Sequence, residues 1–363
     1  MALGVISDRG IMEFIRKGRI YSSKEIKELQ IQPSSIDLTL GSKGFCLPSS
    51  EIPIVRNLEE FFQSTASYEI DLSEERFLHS GQVYVVKLNE GLKLPEHFRA
   101  KANPKSSTGR VDVHVRLLCE KGEQFDNVPK GYKGNLWLEI CPNSFDIVCK
   151  EGISLNQLRI FNTNSRGLNN GELYDLHQEE GILFELNNGR RRKVRNIEYF
   201  IDEEGLNIRL DLSRKISGYV AKKGAPAVNL LRRDNPASEY FEEVSPKKGK
   251  ITVSKDSFYI LNSSDIIRIP DGYCAEVLPV DTNYGEYRAH YAGFFDPGFN
   301  AQGVLELRNT GVTDINLKDR QKIAKIRFFH LKEPSVNIYG KKIKSNYQGQ
   351  KGPKLAKFFD VSK

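Results

Sequence analysis

This sequence of 363 residues holds little that suits metal, disulfide or membrane chemistry. Its five cysteines, Cys46, Cys119, Cys141, Cys149 and Cys274, are scattered, odd in number and never spaced as a CxxC pair. That pattern predicts buried reduced thiols in a cytoplasmic protein and speaks against a disulfide framework. There is no HExxH, and Gly340-Lys341 stands without the glycine spacing of a phosphate-cradling loop. His177-Gln178-Glu179 has the His-x-Glu order of zinc deaminases. The P-C-x-x-C that completes such a site is missing, so the triplet is expected in an exposed loop and no zinc is expected. No apolar run approaches the length of a membrane span. The opening "MALGVISDRGIMEF" has neither the basic region nor the apolar core of a secretory leader, so none is expected.

What is present points to a globular β protein. Hydrophobic residues make up 39% of the chain, enough for real cores, and the length suggests two domains. The start reads as helical, with Ser7 or Asp8 as N-cap, Ile11, Met12, Phe14 and Ile15 on one side, and Gly18 as the stop. Beyond residue 30, short β-branched or aromatic runs dominate, among them "YVVKL", "NLWLEI", "LRIF", "FYIL", "GVLELR" and "AKIRFF". Their number and spacing predict a mainly β chain of barrel or jelly-roll type. A net charge of +7 fits an anionic partner. The densest basic run, "GRRRKVR" at 189–195, follows the turn signal Asn188-Gly189 and reads as a solvated hairpin arm. No aromatic residue interleaves it to stack on bases, so nucleic acid is not the expected partner.

An internal repeat organises the rest. "VYVVKLNEGLKLPEHFRAKANP" (83–104) matches "FYILNSSDIIRIPDGYCAEVLP" (258–279), with Tyr84 and Tyr259, Pro95 and Pro270, Ala100 and Ala275, and Pro104 and Pro279 at one spacing of 175. Farther on, Glu139 matches Glu306 at a spacing of 167, and Asp146, Arg159 and Phe161 match Asp314, Arg327 and Phe329 at 168. A period this long is a duplicated domain rather than a solenoid. The boundaries are placed at 1–165 and 166–363. The stretch from about 165 to 250 carries no recognisable motif.

The two copies differ where chemistry would sit. The first has "PKSSTGR" (104–110), hydroxyls and an arginine at a bend; the second has Asp281 and Thr282 at the matching place. The second has a compact Asp-Pro-Gly turn in "YAGFFDPGFNAQG" (291–303); in the first, Asp126 is out of place against Gly131. Each copy keeps what the other lost, so a shared site should lie where the halves meet. Glu139 and Glu306 lie mid-strand, where a carboxylate either faces solvent or is paired or functional. Their recurrence favours a shared geometric role, and a partly buried glutamate can carry protons near neutral pH. The basic tail "YGKKIKSNYQGQKGPKLAKFF" (339–359) is either a loose end or a flap that closes over an anion.

Together "QPSSIDLTLG" (32–41), "PKSSTGR", "DPGFNAQGVLEL" and "SNYQGQKGP" resemble the dCTP deaminase branch of the dUTPase-like superfamily, in its long form with two fused dUTPase-like domains. The resemblance implies tandem distorted β-barrels with a short N-terminal helix, assembled as a homotrimer. It implies zinc-free deamination of dCTP to dUTP and ammonia in dTTP precursor synthesis, with Mg²⁺ carried on the triphosphate and possible inhibition by dTTP. The family's serine–arginine loop is matched by Ser106, Ser107 and Arg110, its base-pocket turn by Ala292, Asp296, Gly298 and Phe299, and its catalytic glutamate by Glu306 and, in the other half, Glu139. Its closing tail is matched by Tyr339 and Gln350. Where the family often has a tail lysine this chain has Asn346, and Lys344 is the expected substitute. Glu306 is the expected general base, with Ser106 and Arg110 orienting water and holding phosphate oxygens. The alternatives are a dUTPase, a bifunctional enzyme that goes on to dUMP, and a non-catalytic trimeric nucleotide-binding protein.

Overall fold

Two copies of one antiparallel framework account for most of the computed structural model, which describes residues 3–187, 190–203, 205–278, 288–289, 293–340 and 345–362. In the first copy the strand Val83–Lys93 pairs with Lys133–Pro142; in the second, Phe258–Arg268 pairs with Asn300–Arg308. Glu139 stands opposite Val85 and Glu306 opposite Ile260, so the two sequence spacings meet in one structural register. The second sheet of each copy pairs Phe98–Pro104 with Asn156–Asn162, and Tyr273–Leu278 with Lys322–His330. Phe98–Pro104 alternates buried and half-buried residues along its length, as a strand with one face on a core must. The chain is thus mainly β, two tandem β domains with few helices.

Each copy begins with a helix and then a short strand laid on its long strand. The helix Asp8–Arg16 leads to Ile20–Ser22, which pairs with Glu90–Leu92; the helix Asn170–Glu180 leads to Leu183–Asn187, which pairs with Asp265–Ile267. The first helix is confined to nine residues, because Gly18 turns the chain at φ +64° and a strand follows. Ser7 occupies the N-cap without capping. Its hydroxyl donates to Glu333 at 3.0 Å, and the Asp8 carboxylate accepts from the N–H groups of Val336 and Asn337 at 2.9 and 2.8 Å. Both residues fasten the C-terminal segment to the N-terminus.

The second helix corrects the reading of His177. The residue is fully buried within Asn170–Glu180, not on an exposed loop, and its Nε2 lies 2.7 Å from the carbonyl oxygen of Val194. Burial holds its pKa below the ordinary value. The basic hairpin forms as read, Leu183–Asn187 against Arg190–Lys193 with all four basic residues exposed, while Asn188 and Gly189 lie outside the described residues.

The stretch without motifs stitches the halves together. Val228–Asn229 runs parallel to Ile147–Val148 of the first copy, and Asn235–Pro236 runs parallel to Phe359–Asp360 of the tail. Tyr240 and Phe241 pack against Phe145 on one side and Phe359 on the other, at centroid distances of 5.1–5.6 Å. Leu355, Phe358 and Phe359 therefore belong to the first copy's core although the second copy supplies them. Among the described residues no helix is long and apolar enough to cross a membrane.

Candidate functional site

A cavity of about 790 Å³ lies between the copies, lined by the serine–arginine loop, the Asp-Pro-Gly turn, Glu306 and the tail. Its inner wall comes from strand geometry. Asn300–Arg308 is buried on both faces, with Leu305 and Leu307 in the second core and Val304 in the first. Glu306 lies between them at 1% exposure, which excludes the reading of a solvent-facing residue. A buried carboxylate needs a cationic partner, and the first copy provides it: Arg110 Nε lies 3.8 Å from Glu306 Oε1.

Ser106–Gly109 form a single helical turn that carries Ser106, Ser107 and Arg110 to the cavity. The tail locks this loop. The ring of Tyr347 lies 3.7 Å from the Arg110 guanidinium carbon, and its hydroxyl is 2.6 Å from Ser107 Oγ. Arg110 Nη1 donates to Gln350 Oε1 at 3.2 Å and to the Lys354 carbonyl at 2.9 Å. Gln350 Nε2 in turn donates to the Gln302 carbonyl at 2.8 Å, two turns of the pleat before Glu306. The tail residues described are thus an ordered strap across the mouth rather than a loose end. Next to this loop, Asp112, at φ +56°, pairs with Arg308 of the second copy.

The Asp-Pro-Gly turn is held from across the interface. Ser34, within "QPSSIDLTLG", donates to Asp296 Oδ1 at 2.6 Å, and the fully buried Arg159 donates to Ser34 Oγ and to the Ala275 carbonyl, both at 2.9 Å. Asn103 accepts from the N–H of Gly293. Gly298 sits at φ +86°, where a Cβ would come within 2.9 Å of Ile338 Cβ and 3.1 Å of the Tyr339 backbone, so only glycine fits under the tail. Phe299 and Tyr339 close that side with ring centroids 5.6 Å apart, and burial pushes the Tyr339 hydroxyl's pKa up.

Glu139 is equally buried, at 1%, but does not line that cavity. Its Oε1 accepts from Arg116 Nε at 2.8 Å, and Phe125 covers that guanidinium at 3.7 Å. Asp126, the first copy's counterpart of the turn aspartate, accepts instead from the N–H of Leu117 at 2.8 Å. Ala292, Lys344, Pro279, Asp281 and Thr282 lie outside the described residues. Sequence reasoning did not single out Ser34, Arg159, Lys105, Gln302 or Tyr347 as site residues. Ser34, Lys105, Gln302 and Tyr347 lie within quoted motifs and Arg159 within the repeat, but only the fold shows what they touch.

Among the described residues there is no group of three side chains that could hold a metal ion. Three carboxylates that line the cavity are engaged: Asp37 by Lys105, Asp296 by Ser34 and Arg159, and Glu306 by Arg110. That donor set suits an ion that arrives on phosphate oxygens and keeps its water, not one held in a protein cage.

Comparison with known proteins points to one family. The family model described as "2'-deoxycytidine 5'-triphosphate deaminase (DCD) N-terminal domain" matches residues 2–164, and that of the C-terminal domain matches 170–359. A protein of Methanosphaera stadtmanae named "dCTP deaminase, dUMP-forming" is 30% identical over 142 residues, 38% of this chain and 68% of its own length. One of Haloarcula marismortui named "dCTP deaminase" is 32% identical over 128 residues, 34% of this chain and 65% of its own length. The crystal structure of 2'-deoxycytidine 5'-triphosphate deaminase from Agrobacterium tumefaciens is 31% identical, with a TM-score of 0.83, over 91% of this chain and all of that one.

Proposed function

Since this chain belongs to the 2'-deoxycytidine 5'-triphosphate deaminase family and is a cytosine-deaminating hydrolase, we propose that the cavity between its halves converts dCTP to dUTP and ammonia with Glu306 as general base. One observation carries the reading. Glu306, 1% exposed on a strand of the second copy, faces the serine–arginine loop of the first across 3.8 Å.

The chemistry follows from that pairing. Glu306 takes a proton from water as the water oxygen bonds to C4 of cytosine. The same carboxyl group gives that proton to N3, which relieves the charge that builds on the ring. The second proton of the former water passes to the exocyclic nitrogen, the C4–N bond breaks, and ammonia leaves. Arg110, fixed by Tyr347 and Gln350, lies 3.8 Å from Glu306 and aims it at the water. Ser107, held by Tyr347, fixes the loop, and Ser106 faces the nucleotide. Asp296, oriented by Ser34, accepts from the deoxyribose 3'-hydroxyl. Mg²⁺ travels with the triphosphate and takes no part in the step above.

A second reading, in which the dUTP is cleaved further to dUMP, is favoured by the names of several relatives, the protein of Methanosphaera stadtmanae among them. One assay separates the readings. Purified protein is incubated with dCTP and, separately, with dUTP, and ammonia and pyrophosphate are measured. Ammonia alone is the expected result; pyrophosphate as well means dUMP formation; neither product means a non-catalytic binding protein. Glu306→Gln should keep nucleotide binding and lose turnover by ~10³-fold or more. A variant that still turns over at the parent rate removes Glu306 from the mechanism. A homotrimer and inhibition by dTTP belong to the same reading, and sedimentation and a dTTP titration test them.

A further inference from the structure

The cavity holds a set of cations that the deamination step leaves unused. Lys105 comes from the serine–arginine loop, Arg233 from the stretch without motifs, and Lys357 from the strap, and all three line the cavity. They are close enough to act on one another: burial first, then Lys105 and Arg233, lower the proton affinity of Lys357. Asp37 is the carboxylate that opposes them, and it is already ion-paired with Lys105. Among the described residues neither the Arg233 guanidinium nor the Lys357 ammonium has a hydrogen-bond or ion-pair partner. Around the half-buried Lys357 these cations outnumber the one carboxylate that acts on it, and an anion of several charges relieves that repulsion. Arg110 is not part of this set, because it is committed to Glu306, Gln350 and the Lys354 carbonyl.

Resting on the dCTP reading, we propose that Arg233 and Lys357, with Lys105, clamp the terminal phosphates of the nucleotide and set its preference for a triphosphate over a monophosphate. The two residues come from the two segments that join the halves, so the clamp is complete only when the strap lies along residues 235–236. Each charged contact to phosphate is a charge-assisted hydrogen bond, and its loss weakens binding ~10- to 100-fold.

The test compares dCTP and dCMP as substrates for the parent, Arg233→Ala, Lys357→Met and Lys357→Arg. Alanine at Arg233 and methionine at Lys357 should each lower kcat/KM for dCTP ~10- to 100-fold through KM, leave kcat near the parent value and leave dCMP unchanged. Arginine at Lys357 should restore most of the loss. Equal losses for dCTP and dCMP, or none for dCTP, overturn the clamp. Calorimetry with inorganic triphosphate tests it apart from catalysis. The parent should bind this ion, and the two charge-removing variants should bind it ~10- to 100-fold more weakly. A parent that binds inorganic triphosphate yet deaminates no cytosine nucleotide would refute the proposed function and leave the clamp standing. Unaltered triphosphate binding by Arg233→Ala, an exposed residue whose replacement does not threaten the fold, refutes the clamp itself.

Discussion

Glu139 and Glu306 share a strand register and near-complete burial, yet their neighbours give them different work. Glu306 faces a cavity and an arginine from the other half; Glu139 faces Arg116 of its own sheet, sealed by Phe125. Replacing one member of a buried pair leaves the other without its counter-charge. Glu139→Gln is therefore expected to cost ~1–3 kcal/mol of stability, read as a lower Tm, while kcat for deamination stays near the parent's. A loss of turnover without a loss of stability would place Glu139 in the reaction. Lys357 carries a prediction about pH. Burial, Lys105 and Arg233 together hold its pKa down to about 8 against the partial opposition of Asp37. It is charged below that pH and neutral above it, so kcat/KM for dCTP should fall as pH rises through about 8, and Lys357→Arg should flatten that limb. Linkage has the opposite sign for the empty protein. A lysine whose folded pKa is depressed binds fewer protons folded than unfolded, so the empty fold should gain stability from about pH 8 toward the ordinary lysine range.

The strands were legible because apolar pattern and turn residues agree along them. "LWLEI" and "GVLEL" read as strands and are strands, and the repeat fixed which of them correspond. The helix Asn170–Glu180 was not legible by the same means, since "NGELYDLHQEE" has only a weak apolar stripe. Its signals were the capping box Asn169–Glu172 and the terminal Gly181 at φ +69°, and above all its place as the counterpart of Asp8–Arg16. The site was legible in its serine–arginine loop and Asp-Pro-Gly turn, but not in the contacts that set them, because Arg159 to Ser34 and Tyr347 to Ser107 span 125 and 240 residues. The strap shows how such contacts become testable. Phe359, 7% exposed, packs against Tyr240 and Phe241 and anchors the segment that carries Tyr347 and Gln350. Phe359→Ala should remove ~3 kcal/mol or more of local packing. The expected result is faster proteolysis of the tail and a higher KM for dCTP, larger in effect than any change in kcat. An unchanged KM with a freely cleaved tail would show that the strap does not contribute to binding.

At the scale of the whole molecule, two unequal copies line one cavity. The first supplies Ser106, Ser107 and Arg110; the second supplies Glu306, Asp296, Phe299 and the strap. The converse pairing has no matching parts on the first copy's side, because Glu139 is tied to Arg116 and Asp126 to the Leu117 N–H. The strap strengthens the asymmetry. It leaves the second copy, packs Leu355, Phe358 and Phe359 into the first copy's core and crosses the one cavity described between them. A nucleotide that bridges the copies should then hold them together, and the number of such bridges is countable. Titration of the Glu306→Gln variant with dCTP, by calorimetry in the presence of Mg²⁺, should saturate at one nucleotide per chain. The same titration should raise Tm by an amount that follows free dCTP through RT ln(1 + [L]/Kd). Two nucleotides per chain would mean that the sealed pair Glu139–Arg116 opens to form a second site, and the division of labour argued from the two copies would be wrong.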